Sequence, residues 1–337
     1  MTASEITAHF SRILPLKVGV VGDFALDLYL TVQPDTGERS LETGRAVFWG
    51  SQPRSSLGAA GNVVQNLVAL GVRDVRVVGC VGNDLFGREM RHLFTDLLVD
   101  TRHLYTVHQD WDTCVYTKPM QAGTEANRID FGTQNQLNNS LFNQLLFDLE
   151  QTLPDLDVLI LNQQFANPLL DETRVTRLNA LIARFPNVRF VADMRQVGQL
   201  IRGTTLKVNT AEMARFLNLD LPDQPDCGWC AHQARTLSRQ CRGPVVVTRG
   251  EAGMLYVDQT EIQSVPGLPL RGELDTVGAG DTVVAALAAC LGAGMAPAPA
   301  LEIANLAAAV TVQKLQQTGT ASLTEILAVH AMYNHHD

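Results

Sequence analysis

The chain has 337 residues, 46% hydrophobic and 18% charged, with 26 basic against 35 acidic side chains for a formal net charge of −9. That apolar content excludes a disordered chain and allows a large buried core. The acidic balance argues against a nucleic-acid or anionic-membrane surface, which would need clustered Lys and Arg, so a small-molecule ligand is the expected partner. No basic head followed by an apolar stretch opens the sequence, and Cys80, Cys114, Cys227, Cys230, Cys241 and Cys290 are scattered, which together suggest reduced thiols and a cytoplasmic location. Cys227-Gly228-Trp229-Cys230 has the spacing of a zinc or redox half-site, but no second pair completes it. The apolar run from Val283 to Met295 is too short and too Gly-broken to span a bilayer.

Short apolar runs alternate with helical patterns, the signature of βα units feeding a parallel sheet covered on both faces. In chain order the expected central strands are Lys17–Val21, Val75–Val78, Val158–Leu161, Val188–Ala192, Leu206–Val208 and Val245–Thr248. Helices are expected at Ala60–Leu70, Leu85–Leu98, Ser140–Leu149, Pro168–Arg184, Thr210–Leu217, Ala231–Gln240, Gly280–Leu291 and Pro299–Leu315. The predicted fold is therefore α/β, a doubly wound and mostly parallel sheet flanked by helices. Tyr29–Ser56 and Leu104–Phe131 break the rhythm with polar β patterns and no helix. They predict a small β lid, built from insertions at about 29–56 and 104–131 of a single domain over residues 1–337, closing over the carboxyl edge of the sheet.

The strongest local signal is Asp275-Thr276-Val277-Gly278-Ala279-Gly280-Asp281, leading into a helix. Small residues at 278–280 admit a ligand to the backbone, and a helix N-terminus offers unpaired N–H groups and a positive dipole end, an anion cradle. Asp281, in the first turn, could take the proton of an attacking hydroxyl; equally, it could simply compensate the dipole. The segment is no Walker A loop, because no Gly-Lys-Ser/Thr follows, and it is a poor dinucleotide fingerprint, because Val283 stands where a third glycine belongs.

Asp275 to Asp281 resembles the signature of the ribokinase-like, or phosphofructokinase B, carbohydrate kinases. Gly22-Asp23-Phe24-Ala25-Leu26-Asp27, Gly58-Ala59-Ala60-Gly61-Asn62 and Val77 to Gly87 resemble earlier family motifs, in the family's order. The resemblance implies a sugar kinase in which Asp281 is the general base and the Gly278, Ala279 and Gly280 backbone forms an anion hole. It also implies that Asp27, Gly58 and Asn62 meet the sugar. Asp27 and Gly58 alone read as a surface turn carboxylate and a packing glycine.

Asn209-Thr210-Ala211-Glu212 resembles the family's Asn-x-x-Glu motif, which helps hold Mg²⁺ through water; it is also a capping box. Thr248-Arg249-Gly250-Glu251-Ala252-Gly253 resembles the nucleotide loop, which implicates Thr248, Gly250 and Gly253 in ATP binding, and Asn305 begins the helix that would flank the adenine. Arg195 stands where the nearest subgroup, the heptose phosphate kinases, has a phosphate-neutralising Lys, with an ordinary solvated arginine as the alternative. Arg128-Ile129-Asp130-Phe131 supports that subgroup, whereas Asn162 to Asn167 lacks its Asp-Tyr-x-Lys-Gly loop and Ala59 replaces a glycine. The resemblance further implies K⁺ near Asp275 and the Val277 carbonyl, and a homodimer through the lid. Arg128 and Asp130, with Tyr116 and Lys118, are the lid residues expected to set sugar specificity, although Lys118 alone reads as a solvated strand-surface residue. Two other readings are a catalytically silent sugar- or nucleotide-binding regulator and an NAD-dependent oxidoreductase, the latter lacking a glycine fingerprint after the first strand.

Overall fold

The structure, a computed structural model, describes residues 1–165 and 169–334. Ala166 and Asn167 of the altered loop, and the helix start expected at Pro168, lie outside the described residues. In chain order the elements are α1 (Ala3–Ile13), β1 (Lys17–Gly22), β2 (Phe24–Gln33), β3 (Trp49–Ala59), α2 (Ala60–Ala69), β4 (Asp74–Gly82), α3 (Leu85–Asp96), β5 (Asp100–Val107), β6 (Cys114–Gln121), β7 (Thr124–Glu125) and β8 (Ile129–Phe131). There follow α4 (Asn139–Thr152), β9 (Val158–Gln163), α5 (Glu172–Ile182), β10 (Arg189–Met194), β11 (Thr205–Asn209), α6 (Thr210–Phe216), α7 (Cys227–Cys241) and β12 (Val245–Thr248). The last are β13 (Met254–Val257), β14 (Ile262–Val265), α8 (Ala279–Gly292), α9 (Pro297–Val312) and α10 (Leu323–Asn334).

Nine strands form the main sheet in the order β14-β13-β12-β11-β10-β9-β1-β4-β5. All its pairings are parallel except β12 with β13 and β13 with β14. The strands read as continuous apolar runs because both faces are covered. Along β9, Val158 and Ile160 join the core layer of α1, α2, α8 and α9, while Leu159 and Leu161 join that of α4, α5 and α7. The doubly wound architecture follows from this alternation.

Two terminal helices escape the sequence reading. The first, α1, opens with a capping box between Thr2 and Glu5 and buries Ile6, Phe10 and Ile13, an i, i+4, i+7 stripe. The other, α10, adds Ile326 and Val329 to the same layer.

A second sheet of five strands has the order β3-β2-β6-β7, with β8 also on β6. It draws on residues 24–59 and 114–131. Leu104–Val107, expected in it, belong instead to β5, which pairs with β4 in the main sheet; a half-buried edge strand carries the same mixed polarity as a lid strand. The cysteines are free, Cys227 exposed and Cys230 buried, and no cluster of three or more His, Cys, Asp or Glu fit for a metal occurs among the described residues. No helix among them is long and apolar enough to cross a membrane.

Candidate active site

The first turn of α8 is open. Gly278 caps it at φ 78 with no side-chain hydrogen bond, and a Cβ at that position would lie 2.6 Å from Asn62 Nδ2. Both the left-handed backbone and the close approach require glycine. Asp281, in that turn, receives a 2.9 Å hydrogen bond from Asn62 Nδ2 to its Oδ2. Asn62 is fully buried in α2, and its own Oδ1 accepts from Gln65 (2.7 Å) and Asn66 (2.9 Å), so the amide is aimed rather than free. Asn66 is tied in turn to the hydroxyl of Thr282 (3.0 Å). Burial, reinforced by the nearby Asp193, pushes the Asp281 carboxyl up to about 7 against the pull of Asn62 and Lys207. A carboxyl titrating there is poised for proton exchange at neutral pH.

Asp27, which alone reads as a surface turn carboxylate, lies inside β2, on the second sheet, and is 4% exposed. Its Oδ1 faces Lys118 Nζ at 2.9 Å, and its Oδ2 accepts from the Thr318 hydroxyl at 2.6 Å. The solvated reading of Lys118 is therefore wrong. It is 5% exposed, donates to the Tyr29 hydroxyl at 3.0 Å and lies over that ring. Its burial opposes the charge, but Asp27 and Tyr29 outweigh that and raise its pKa. Gly58 makes room for this pair, since a Cβ there would press on Asp27 Oδ2 at 3.2 Å. The neighbouring Ala59 caps α2 at φ 50, ψ −127, a conformation suited to glycine.

The carboxyl ends of the central strands form one row. Gly22 pairs with Asn162, Asn162 with Asp193, Asp193 with Lys207, and Asn209 with Thr248. The Asn162 amide is buried without a hydrogen-bond partner, and Asp23, pushed up to about 6 by burial, holds the backbone N–H groups of Gln164 and Phe165. Asn209 and Glu212 form the capping box of α6, side chain to backbone at 2.8 and 2.9 Å. Under the first turn of α8 lies an ion pair that the sequence reading missed, Lys207 with Asp193 at 3.1 Å, both buried. Burial pushes Asp193 up, and it opposes the Lys207 charge too, but Asp193 and Glu212 keep Lys207 above the usual lysine value.

The other expected residues stand apart from this cluster. Thr248 ends β12, its hydroxyl on the Val208 carbonyl at 3.4 Å, and Gly250 and Gly253 adopt φ 57 and 83 in the following turn. A Cβ on Gly253 would lie 2.1 Å from the Val265 carbonyl oxygen, and Asn305 of α9 holds the next carbonyl, Pro266, at 2.8 Å. Thr248, the 250–253 turn and Asn305 thus belong to one platform. Arg195 is exposed just past β10. Arg128 and Asp130 pair with each other at 2.8 Å, Arg128 lying over the Tyr116 ring, and neither is bonded to Asp27, Asn62 or Asp281.

Residues 17–324 match the family model described as "pfkB family carbohydrate kinase". The chain belongs to the pfkB family. Its curated relatives include "Bifunctional protein HldE" of Azorhizobium caulinodans, 32% identical over 314 residues covering 91% of this chain and 62% of the relative, and the same-named protein of Gluconacetobacter diazotrophicus, 28% identical over 325 residues (93% and 63%). The chain thus spans less than two thirds of those relatives' length. Phosphofructokinase-2 from Escherichia coli, solved in complex with potassium, superposes with TM-score 0.74 at 18% identity, covering 95% of this chain and 99% of that one. Arabidopsis thaliana ribokinase complexed with ribose and ATP gives 0.72 at 18% identity, covering 94% and 98%. These likenesses establish the ribokinase-like fold, and the family is one of phosphotransferases that act on sugar hydroxyls.

A pfkB kinase implies ATP and Mg²⁺, and the donors present fit. Asn209 and Glu212 offer side-chain oxygens at the end of β11, each already engaged in the α6 capping box, a hard-oxygen set with no closed cage of His, Cys, Asp or Glu among the described residues. That set suits an ion which keeps most of its waters. Near Val277, the Asp275 carboxylate already accepts the N–H groups of Val277 and Gln316, both at 3.0 Å. Each oxygen keeps lone pairs that a monovalent cation could use.

Proposed function

We propose that the chain is an ATP-dependent carbohydrate kinase in which Asp281 accepts the proton of a sugar hydroxyl as that oxygen attacks the γ-phosphorus. The Asn62–Asp281 hydrogen bond carries this reading, because it ties the sugar-side glycine motif to the kinase signature and aims the carboxylate. The backbone N–H groups of Gly278 and Gly280 line the open end of α8, where an anion is favoured over water by the helix dipole, while that of Ala279 already donates to the Thr276 carbonyl at 3.2 Å and would have to turn to join them. Asp27 lies on the same side, joined to Asn62 through Gly58 and the start of α2, and retains acceptor capacity for sugar hydroxyls beyond Lys118 and Thr318. The 248–253 turn with Asn305 is the nucleotide platform, and Arg195 neutralises a phosphate at its edge. Magnesium, held through water by Asn209 and Glu212, would supply charge neutralisation on the phosphates.

Arg128 and Asp130 select the sugar from the second sheet, which acts as the lid. That sheet also exposes Trp49 and Ile129, and its flank Phe48, which fits a homodimer formed through it; sedimentation at micromolar concentration tests this, with a monomer refuting it. Comparing rates in potassium and tetramethylammonium salts tests the cation beside Asp275 and Val277, equal rates counting against it. ADP release over a panel of sugars, sugar phosphates and nucleosides tests the activity itself. Asp281→Asn should bind ATP normally yet lose about a hundredfold or more in kcat. Near-normal turnover would overturn the assignment of the base.

A further inference from the structure

Lys207 is an odd residue to find inside a sheet. Leu206 and Val208 on either side pack into the α4–α5–α7 layer, so Lys207 points to the opposite layer, where α8 lies. It is 6% exposed, and the same strand would bury another aliphatic residue more favourably. An ammonium has three N–H donors. Among the described residues the only acceptor bonded to Lys207 Nζ is Asp193 Oδ2, at 3.1 Å. A purely structural ion pair would satisfy its remaining donors within the protein, because buried donors left unpaired are costly.

The free side of the ammonium faces the anion cradle. A Cβ placed on Gly280 would lie 3.1 Å from Nζ, so the charge sits directly beneath the uncapped first turn of α8. It is also close enough to Asp281 and Glu212 to feel both carboxylates. The absence of a side chain at Gly280 leaves the ammonium open to whatever anion the helix end receives.

We propose that Lys207 is a catalytic residue of the phosphoryl transfer, donating to the γ-phosphoryl oxygens of ATP, and that Asp193 is the positioning residue that aims it. The assignment rests on the kinase reading above. In the step itself the bond from the γ-phosphorus to the β–γ bridging oxygen breaks as the bond to the sugar oxygen forms. The sugar hydroxyl proton goes to Asp281, ADP leaves with the bridging electron pair, and Lys207 keeps its protons throughout. Its contribution is a fixed positive contact that a γ-phosphoryl group meets and ADP does not.

The test is calorimetric titration of wild type and Lys207→Met with the Mg²⁺ complexes of ADP and of the imido-bridged ATP analogue, alongside turnover. One charge-assisted hydrogen bond predicts an analogue Kd weakened about tenfold or more, while ADP binding stays within about twofold of wild type. The kcat should fall further than the sugar KM rises. A structural role would weaken both nucleotides together, and that result, or no change in either, overturns the proposal. Should the single variant fail to fold, Asp193→Asn with Lys207→Met removes both buried charges, and the same nucleotide comparison decides. If wild type binds neither nucleotide, this assignment and the kinase reading fall together. If the selectivity behaves as expected but no sugar releases ADP, the acceptor class is wrong and Lys207 stands.

Discussion

The bond between Asn62 and Asp281 predicts how the enzyme responds to pH. A general base works only when deprotonated, so kcat/KM should climb with pH and level off above about 7, where burial has placed the Asp281 carboxyl. Asn62 favours the charged form through a 2.9 Å hydrogen bond. Such a bond to a charged group is worth about 1.5–3 kcal/mol, and each 1.36 kcal/mol moves a pKa by about one unit. Lys207 and the helix end still act on Asp281 after Asn62→Ala, so we take the lower end, a rise of about one unit to about pH 8. At pH about 6 the active fraction then falls about tenfold, while at pH about 9 it is nearly unchanged. The assay is kcat/KM by coupled ADP release from about pH 5 to about pH 10, read as the ratio of acid to alkaline rates within each variant, which cancels any general loss of site integrity. A limb that stays put, or moves to lower pH, would refute the claim that Asn62 holds the charged base.

Other consequences are thermodynamic. Because the Asp281 carboxyl is raised in the folded state, its contribution to stability should be greatest below its unfolded value and decline as pH rises towards about 7; Asp281→Asn should therefore stabilise the fold at pH about 8 by about 2 kcal/mol after allowing for its partial solvent contact, seen as a higher Tm, and do little at pH about 4. A lower Tm at alkaline pH would contradict that. Ala59→Gly relieves a left-handed cap at φ 50 and should stabilise by about 1 kcal/mol in denaturant melts. Lys118→Met strands the Asp27 carboxylate in the interior and should cost about 3 kcal/mol, much of it recovered by adding Asp27→Asn. Additive losses in that cycle would mean the pair is not coupled.

The layers were legible because burial on both faces makes a parallel strand a continuous apolar run, as in Val158 to Leu161, and because helix stripes are local. The glycine-capped start of α8 was legible for a similar reason: Gly278 to Asp281 are contiguous, and their conformational needs are written in residue type. The partners of those residues are not contiguous. That Asn62 grips Asp281, that Thr318 reaches Asp27 and that Asp193 meets Lys207 are facts about neighbouring strands and helix ends brought together from distant parts of the chain. Lys118 and Lys207 were misjudged or missed by the same logic. A lysine in a strand reads as solvated on average, and only the folded structure shows that a carboxylate waits opposite each one. Mixed polarity likewise could not tell the edge strand β5 from a lid strand.

These pairings also explain how a chain of net charge −9 can receive a polyphosphate. The carboxylates Asp27 and Asp193 each face a buried lysine, so the negative charge of these two is cancelled at a distance of about one hydrogen bond. What remains uncompensated is the positive end of α8, where no side chain caps the helix. Asp281 is the exception, a carboxylate beside that end with only a neutral amide bonded to it. Burial, reinforced by Asp193, raises its pKa against that amide, and this is the basicity that the proposed role as general base would use. Surface charge sets the solubility of the chain; pairing inside the cleft sets what binds there.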